Sequence, residues 1–143
     1  QGLGTAIDLL EPELDRRPLW TDGHLLLSRL RSAAGERSRA FDSIAAATRR
    51  HPDAVDLWRL WGRLLLKQGR FAEALAVVGQ SRRHGADRTL DVLEAAAFSE
   101  SGQLARATAA WARLGPLQDV ESMIYEARHL LRSGQAEVIA ART

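Results

Sequence analysis

Apolar residues recur along this chain at every third or fourth position. In LWRLWGRLLLKQGRFAEAL, residues 57–75, Trp58, Trp61, Gly62 and Leu65 fall at i, i+3, i+4 and i+7, and Phe71, Ala74, Leu75 and Val78 repeat the arrangement after Gly69. Such spacing gathers each set on one side of an α-helix. The segment predicts two amphipathic helices joined at Lys67-Gln68-Gly69-Arg70, with the glycine supplying the left-handed residue that ends the first. Apolar and polar residues nowhere alternate strictly over a useful length, so strands are not expected.

The pair of helices then recurs. Glycines stand at 35, 69, 102 and 134, spaced by 34, 33 and 32 residues. Five residues after the first three come Ala40, Ala74 and Ala107, Ala6 lies one period earlier, and Pro18 and Pro52 are also 34 apart. Several columns sharing one period in this range signal stacked helix-turn-helix units. Small residues at Gly62, Ala74, Ala95 and Ala107 would let paired helices approach closely while bulky neighbours fill the adjoining layer. Gly62 costs its helix about 1 kcal/mol relative to alanine, a loss that a large side chain packed on its bare backbone can offset.

The stretch Trp58-x-x-Trp61-Gly62-x-x-Leu65, followed by Gly69-x-Phe71-x-x-Ala74 and Val78, resembles the tetratricopeptide repeat, with Trp61 in a leucine's place and Leu65 in a tyrosine's. A copy at 21–53 keeps Leu27, Gly35, Ala40, Ala47 and Pro52 but carries His24 for the tryptophan and Arg31 for the tyrosine. The copy at 88–118 keeps Ala95, Phe98, Gly102, Leu104, Ala107 and Trp111, and one from 120 keeps Ala127 and Gly134 with Ile139 for the small alanine. The resemblance implies an all-α fold, a right-handed α-solenoid of stacked antiparallel helix pairs. It would form one domain over 1–143: a partial leading repeat at 1–18, full repeats at 21–53, 54–87 and 88–118, and a partial trailing repeat at 120–143. Residues 3–17 would be the second helix of the leading repeat, and Pro12 should kink or restart it.

Composition narrows the setting. The chain has 143 residues, 45% hydrophobic and 27% charged, ordinary for a folded domain and too apolar for a disordered one. It has no cysteine, hence no disulfide or thiolate metal site, and no apolar run approaches a membrane span. The opening QGLGTAIDLL lacks the pattern of a signal peptide. These features set the expectation of a soluble, cytoplasmic protein without a membrane partner. The missing initiator methionine, and a helical pattern still running in GQAEVIAART, are read as signs of a segment of something longer. Net charge is +2, yet 19 of the 20 cations are arginine and only Lys67 is lysine. A genome rich in arginine codons accounts for that blandly; some arginines could instead belong to an anion-binding face.

Catalytic and metal chemistry find little support. His51-Pro52-Asp53 with a distant His84 or His129 imitates a two-histidine, one-carboxylate iron site, but it flanks the proline of an inter-repeat turn, where Asp53 suits a helix cap. His24 and His129 have no partner at metal-ligand spacing and read as packing residues. No phosphate loop, dinucleotide fingerprint or nucleophile elbow occurs. The chain is therefore read as non-enzymatic, with no catalytic residue, metal or cofactor.

In the resembling family the first helix of each repeat lines a concave groove. The column Arg29, Arg63, Ala96, Arg128 is three-quarters cationic, and beside it run Leu25, Arg59, Val92, Ile124 and Ala33, Lys67, Glu100, Arg132. Asp22, Asp56 and Glu121 lie near helix starts, where acids complement the dipole. The expected site is a basic, partly apolar groove of Arg29, Arg59, Arg63, Lys67, Val92, Ile124, Arg128 and Arg132 that accepts an acidic protein or peptide segment, against the plain alternative of a solvated helix face. Two further readings stay open. An arginine ladder with a pI of 9.9 could follow nucleic-acid phosphates, though small net charge and few groove aromatics argue against it. The segment from Tyr125 to Gly134 resembles bacterial proteins in which such repeats precede a 2-oxoglutarate and iron dependent oxygenase domain, which would make this chain a targeting or dimerisation arm of a larger enzyme. Apolar surface on partial terminal repeats could also support self-association.

Overall fold

The computed structural model describes residues 2–134, and over them the chain is all α, with no strand. The helices are α1 (Gly2–Arg16), α2 (Thr21–Ala33), α3 (Asp42–Arg50), α4 (Val55–Lys67), α5 (Phe71–Ser81), α6 (Arg88–Glu100), α7 (Leu104–Leu114) and α8 (Val120–Arg132). Residues 135–143, Ile139 among them, lie outside the described part. No described helix is long and apolar enough to cross a membrane. The chain divides into two compact units, one ending at Trp61 and the next beginning at Gly62, so α4 contributes to both.

Helix ends follow from the periodic glycines. Gly35, Gly69, Gly102 and Gly134 all have positive φ, between 73° and 84°, a region open to glycine because it has no Cβ. At the first three, the next amide reaches back to close the end of the helix: Glu36 N–H to Arg31 O, Arg70 N–H to Leu65 O and Gln103 N–H to Phe98 O, at 2.8–2.9 Å. Carbonyls that a helix C-terminus leaves unpaired are thus satisfied by the turn itself. At the N-termini of α6 and α8, Asp87 accepts from Leu90 N–H at 3.0 Å and Asp119 from Ser122 N–H at 2.9 Å.

In the first unit Ile7, Leu10 and Leu14 of α1 bury against Leu27 of α2, with Trp20 and Leu30 packed on the cluster. Of the expected kink or restart at Pro12, the restart does not occur: α1 runs through it. Proline removes the bond to the carbonyl of residue 8, and both Pro12 and Asp8 are exposed, so water can solvate the freed oxygen. Arg31, in the tyrosine position of the resemblance, is 5% exposed and ties α2 to its surroundings, donating to Arg39 O at 3.0 Å and to Glu11 Oε1 of α1 at 2.6 Å. His24 and Trp58, 34 residues apart, do the same job. His24 Nε2–H donates to Pro18 O at 2.6 Å and Trp58 Nε1–H to Pro52 O at 2.8 Å, each tethering a ring to the carbonyl of the proline six residues earlier. With Nε2 protonated, His24 Nδ1 accepts from Ser43 Oγ–H of α3 at 3.0 Å. The ring of Trp58 also stacks on that of Trp61, centroids 5.9 Å apart.

In the second unit α6 packs on α5, α7 and α8, and α7 on α8. Burial on several sides suits its small residues: Ala95, Ala96 and Ala97 are at most 1% exposed. Gly62 explains itself here, because Leu93 Cδ1 of α6 lies 3.1 Å from where its Cβ would stand. A large side chain does cover the bare backbone.

Two glycine-to-alanine changes should have opposite signs. At Gly23 an added Cβ would stand 2.3 Å from Trp20 Cε3 and 2.9 Å from Leu14 Cδ2, so the indole must leave the α1–α2 core; Gly23→Ala is expected to destabilise by about 1–3 kcal/mol. Gly79, inside α5 with nothing within 4 Å of its would-be Cβ, should gain about 1 kcal/mol of helix propensity on the same change. Chemical denaturation of the two variants against the parent chain checks both.

Candidate functional site

The second unit carries an open groove of about 340 Å³. It lies where the end of α4 turns into α5, contributing Leu66, Lys67, Gly69 and Phe71, beside Glu100 at the end of α6 and Tyr125 and Arg128 on α8. Leu66, Phe71 and the ring of Tyr125 supply apolar surface, and Lys67 and Arg128 are exposed.

Its charges are partly paired within the fold. Glu100, with a side chain only 16% exposed, binds Arg132 Nη1 at 2.5 Å and stands 3.7 Å from Arg128 Nη1. Arg63 Nε donates to Glu121 Oε1 at 3.1 Å, joining α4 to α8 across 58 residues of sequence. Exposed pairs of this kind stabilise by at most about 1 kcal/mol, so their value is geometric: they hold guanidinium groups in place along α8. Arg63, Lys67, Arg128 and Arg132 thus stand among the carboxylates of Glu100, Glu121 and Asp119, the last also near Arg63. Burial, followed by the nearby Glu121 carboxylate, raises the Tyr125 pKa above its ordinary 10.0, so its hydroxyl remains a donor at all physiological pH values.

The position of α8 depends on one buried histidine. His129 is 2% exposed, with Nδ1 at 3.2 Å from Ser99 Oγ of α6 and Nε2 at 2.8 Å from Thr108 Oγ1 of α7. Neutral imidazole has one donor and one acceptor, and rotatable hydroxyls can satisfy both. At the start of the helix Asp119 also accepts from Ser122 Oγ–H at 2.7 Å, and these bonds hold its carboxyl below the usual range.

Not every residue of the expected groove is there. Lys67 and Arg128 line the groove, and Arg63 and Arg132 stand beside it only through their pairs with Glu121 and Glu100. Val92 does not, being 3% exposed in the interior: α6 packs on three helices and has no free apolar floor to offer. Ile124 is 49% exposed, on a different side of α8 from Tyr125. Arg29 and Arg59 belong to the first unit, where Arg29 is exposed and Arg59 Nη1 pairs with Asp56 at 3.3 Å. Glu100, Glu121, Phe71 and Tyr125 were not anticipated as site residues. Glu100 stood in the column of Lys67 and Arg132, and its opposite sign was the available signal.

Among the described residues no group of three or more His, Cys, Asp or Glu side chains is arranged to hold a metal ion. Compared with protein-family models, curated proteins and solved structures, the chain matches none.

Burial lowers the pKa of both His24 and His129 below the ordinary 6.5. Below pH 6.5 the unfolded chain takes up protons that the folded chain resists, so stability is full above that pH and falls as the pH drops through it, by at most about 1.4 kcal/mol per pH unit for each histidine. Urea unfolding between pH 7.5 and pH 5 is expected to show this decline, and His129→Gln should flatten it.

Proposed function

We propose that the protein is a binding scaffold of tetratricopeptide type, a right-handed stack of helix pairs, and that the face formed by the end of α4, α6 and α8 receives an acidic segment of a partner protein. One observation carries this reading: Lys67 and Arg128 line an open groove together with Leu66, Phe71 and Tyr125, and the carboxylate that also lines it, Glu100, is already engaged by Arg132 and faces Arg128. A carboxylate entering between Lys67 and Arg128 would meet an ammonium and a guanidinium, the latter suited to bidentate pairing. The Tyr125 hydroxyl offers a further donor, and an apolar side chain beside the acid would cover Phe71. Binding through a fixed groove and a few charge-assisted bonds is a recurrent mode of peptide capture.

Arg63 and Arg132 take part by position. Each is tied to a carboxylate of the fold, which it neutralises, so that the carboxylate does not repel an acidic ligand. This also guides the choice of variants. Reversing Arg63 would set a glutamate against Glu121 and disturb the α4–α8 contact itself. Lys67 and Arg128 are exposed, and Arg128 is only loosely paired.

The test measures anisotropy of a fluorescent Glu- and Asp-rich peptide containing one aromatic residue. The double variant Lys67→Glu, Arg128→Glu is expected to weaken binding by about a hundredfold, roughly 2.7 kcal/mol, with the melting temperature nearly unchanged. Undiminished binding by that variant would remove the groove from the account. Tight, steeply salt-dependent binding of a single-stranded oligonucleotide, with none of the peptide, would favour a phosphate-following ladder instead.

A further inference from the structure

Helix α8 is seated by polar groups more than by hydrocarbon. Of its buried residues, Ser122, His129 and Leu130, one is apolar, whereas α6 buries Leu90, Val92, Leu93, Ala95, Ala96 and Ala97. Val120, Met123, Ile124 and Leu131 are 70%, 47%, 49% and 60% exposed, so on leaving its seat α8 would uncover little hydrocarbon of its own beyond Leu130 and part of Tyr125. Its hold rests instead on three polar links: His129 to Ser99 of α6 and Thr108 of α7, Arg132 to Glu100 of α6, and Glu121 to Arg63 of α4. An element with few buried apolar contacts is the kind that opens locally, ahead of the rest of the fold.

One of these links can change charge between pH 7.5 and pH 5. Carboxylates ordinarily titrate near pH 4 and guanidinium groups above 12, whereas imidazole does so near 6.5. The His129 ring is buried, and from α6 and α7 it meets hydroxyls, those of Ser99 and Thr108. The charged side chains that act on it, Glu126 and Arg132, are on its own helix and opposite in sign, and Glu100 at the end of α6 is taken by Arg132. Two hydroxyls can accept from an imidazolium, but they replace neither the water nor the counter-ion that a buried cation needs. The seated ring therefore resists a proton that the released ring accepts.

We propose that α8 is an acid-released helix that controls the groove: protonation of His129 lets it leave its seat on α6 and α7 while those helices and α5 stay packed. Release takes up one proton. Its equilibrium is therefore insensitive to pH well above about 6.5 and rises by up to about tenfold per pH unit below it, until the pH reaches the lowered pKa of the seated ring. The consequence for the groove rests on its reading as a peptide site. Tyr125 and Arg128 leave with the helix, and Glu100 loses Arg132 and Arg128 together. A released molecule thus presents a bare carboxylate beside Lys67 where a seated one presents Arg128, and capture of an acidic segment weakens in proportion to the released fraction.

Amide hydrogen exchange of the full chain, followed by NMR without peptide between pH 7.5 and pH 5 and corrected for intrinsic rates, tests the release. Amides of α8 are expected to be about tenfold or more less protected than those of α6 throughout, and to lose protection as the pH falls below about 6.5. His129→Gln, whose amide can donate and accept between the same two hydroxyls, should remove that pH dependence. Should this variant not fold, the parent chain decides alone: α8 protection equal to that of α6, or unchanged from pH 7.5 to pH 5, overturns the proposal. A Glu- and Asp-rich peptide containing one aromatic residue, added at saturation at pH 5.5, should slow exchange in α8, because it binds the seated form. A peptide that binds yet leaves α8 exchange unchanged overturns the control of the groove. With the expected exchange, a peptide that binds at neither pH supports the release and removes the reading of the groove instead.

Discussion

Close approach at α6 is the constraint on which the second unit depends. A helix packed on several sides must be narrow where its neighbours come nearest, and Ala95, Ala96 and Ala97 make it so. Opposing surfaces answer in kind: Ala107 of α7 is fully buried, and Gly62 of α4 gives way to Leu93. Once α6 is fixed, the groove follows. Its last residue, Glu100, is set where it can hold Arg132 and face Arg128, and Ser99 is set where His129 can bond to it. A larger side chain at those alanines would move the end of α6, and with it both contacts that seat α8.

The arginine-rich composition takes on meaning at the level of pairs. Arg82 binds Glu94 through two contacts at 2.6–2.7 Å and Asp91 at 2.8 Å, joining the turn after α5 to α6. Arg63, Arg132 and Arg31 each make a comparable link between separate elements. Planar guanidinium groups suit such fixed forks better than an ammonium would. What is left for a partner is therefore smaller than the count of cations implies, and the exposed Lys67 and Arg128 beside aromatic surface are the part of it that the proposed groove uses.

Much of this was legible in the sequence, and the exceptions are instructive. Gly35, Gly69 and Gly102 announced helix ends because a residue with positive φ is a local requirement that tertiary packing rarely overrides. Lys67 and Arg128 emerged from periodic columns because residues one period apart occupy corresponding helix faces. Val92 failed by the same reasoning: a column says that positions correspond, and α6 has a neighbour where a groove floor was expected. Glu121 was assigned to the helix dipole and its pairing with Arg63 was missed, since a contact across 58 residues has no local signature. Gly23 raised no signal at all. Its need for a bare Cα comes from the Trp20 indole, whose rotamer the sequence does not specify.

The account's central claim is that the end of α4, α6 and α8 form one ligand-binding face. Titrating an acidic, aromatic-containing peptide into isotope-labelled protein and following backbone amide shifts tests it most directly. The account predicts saturable shifts concentrated at Lys67, Gly69, Phe71, Glu100, Tyr125 and Arg128, with the α7 amides little affected. Shifts centred on α7, or none at millimolar peptide, would contradict it.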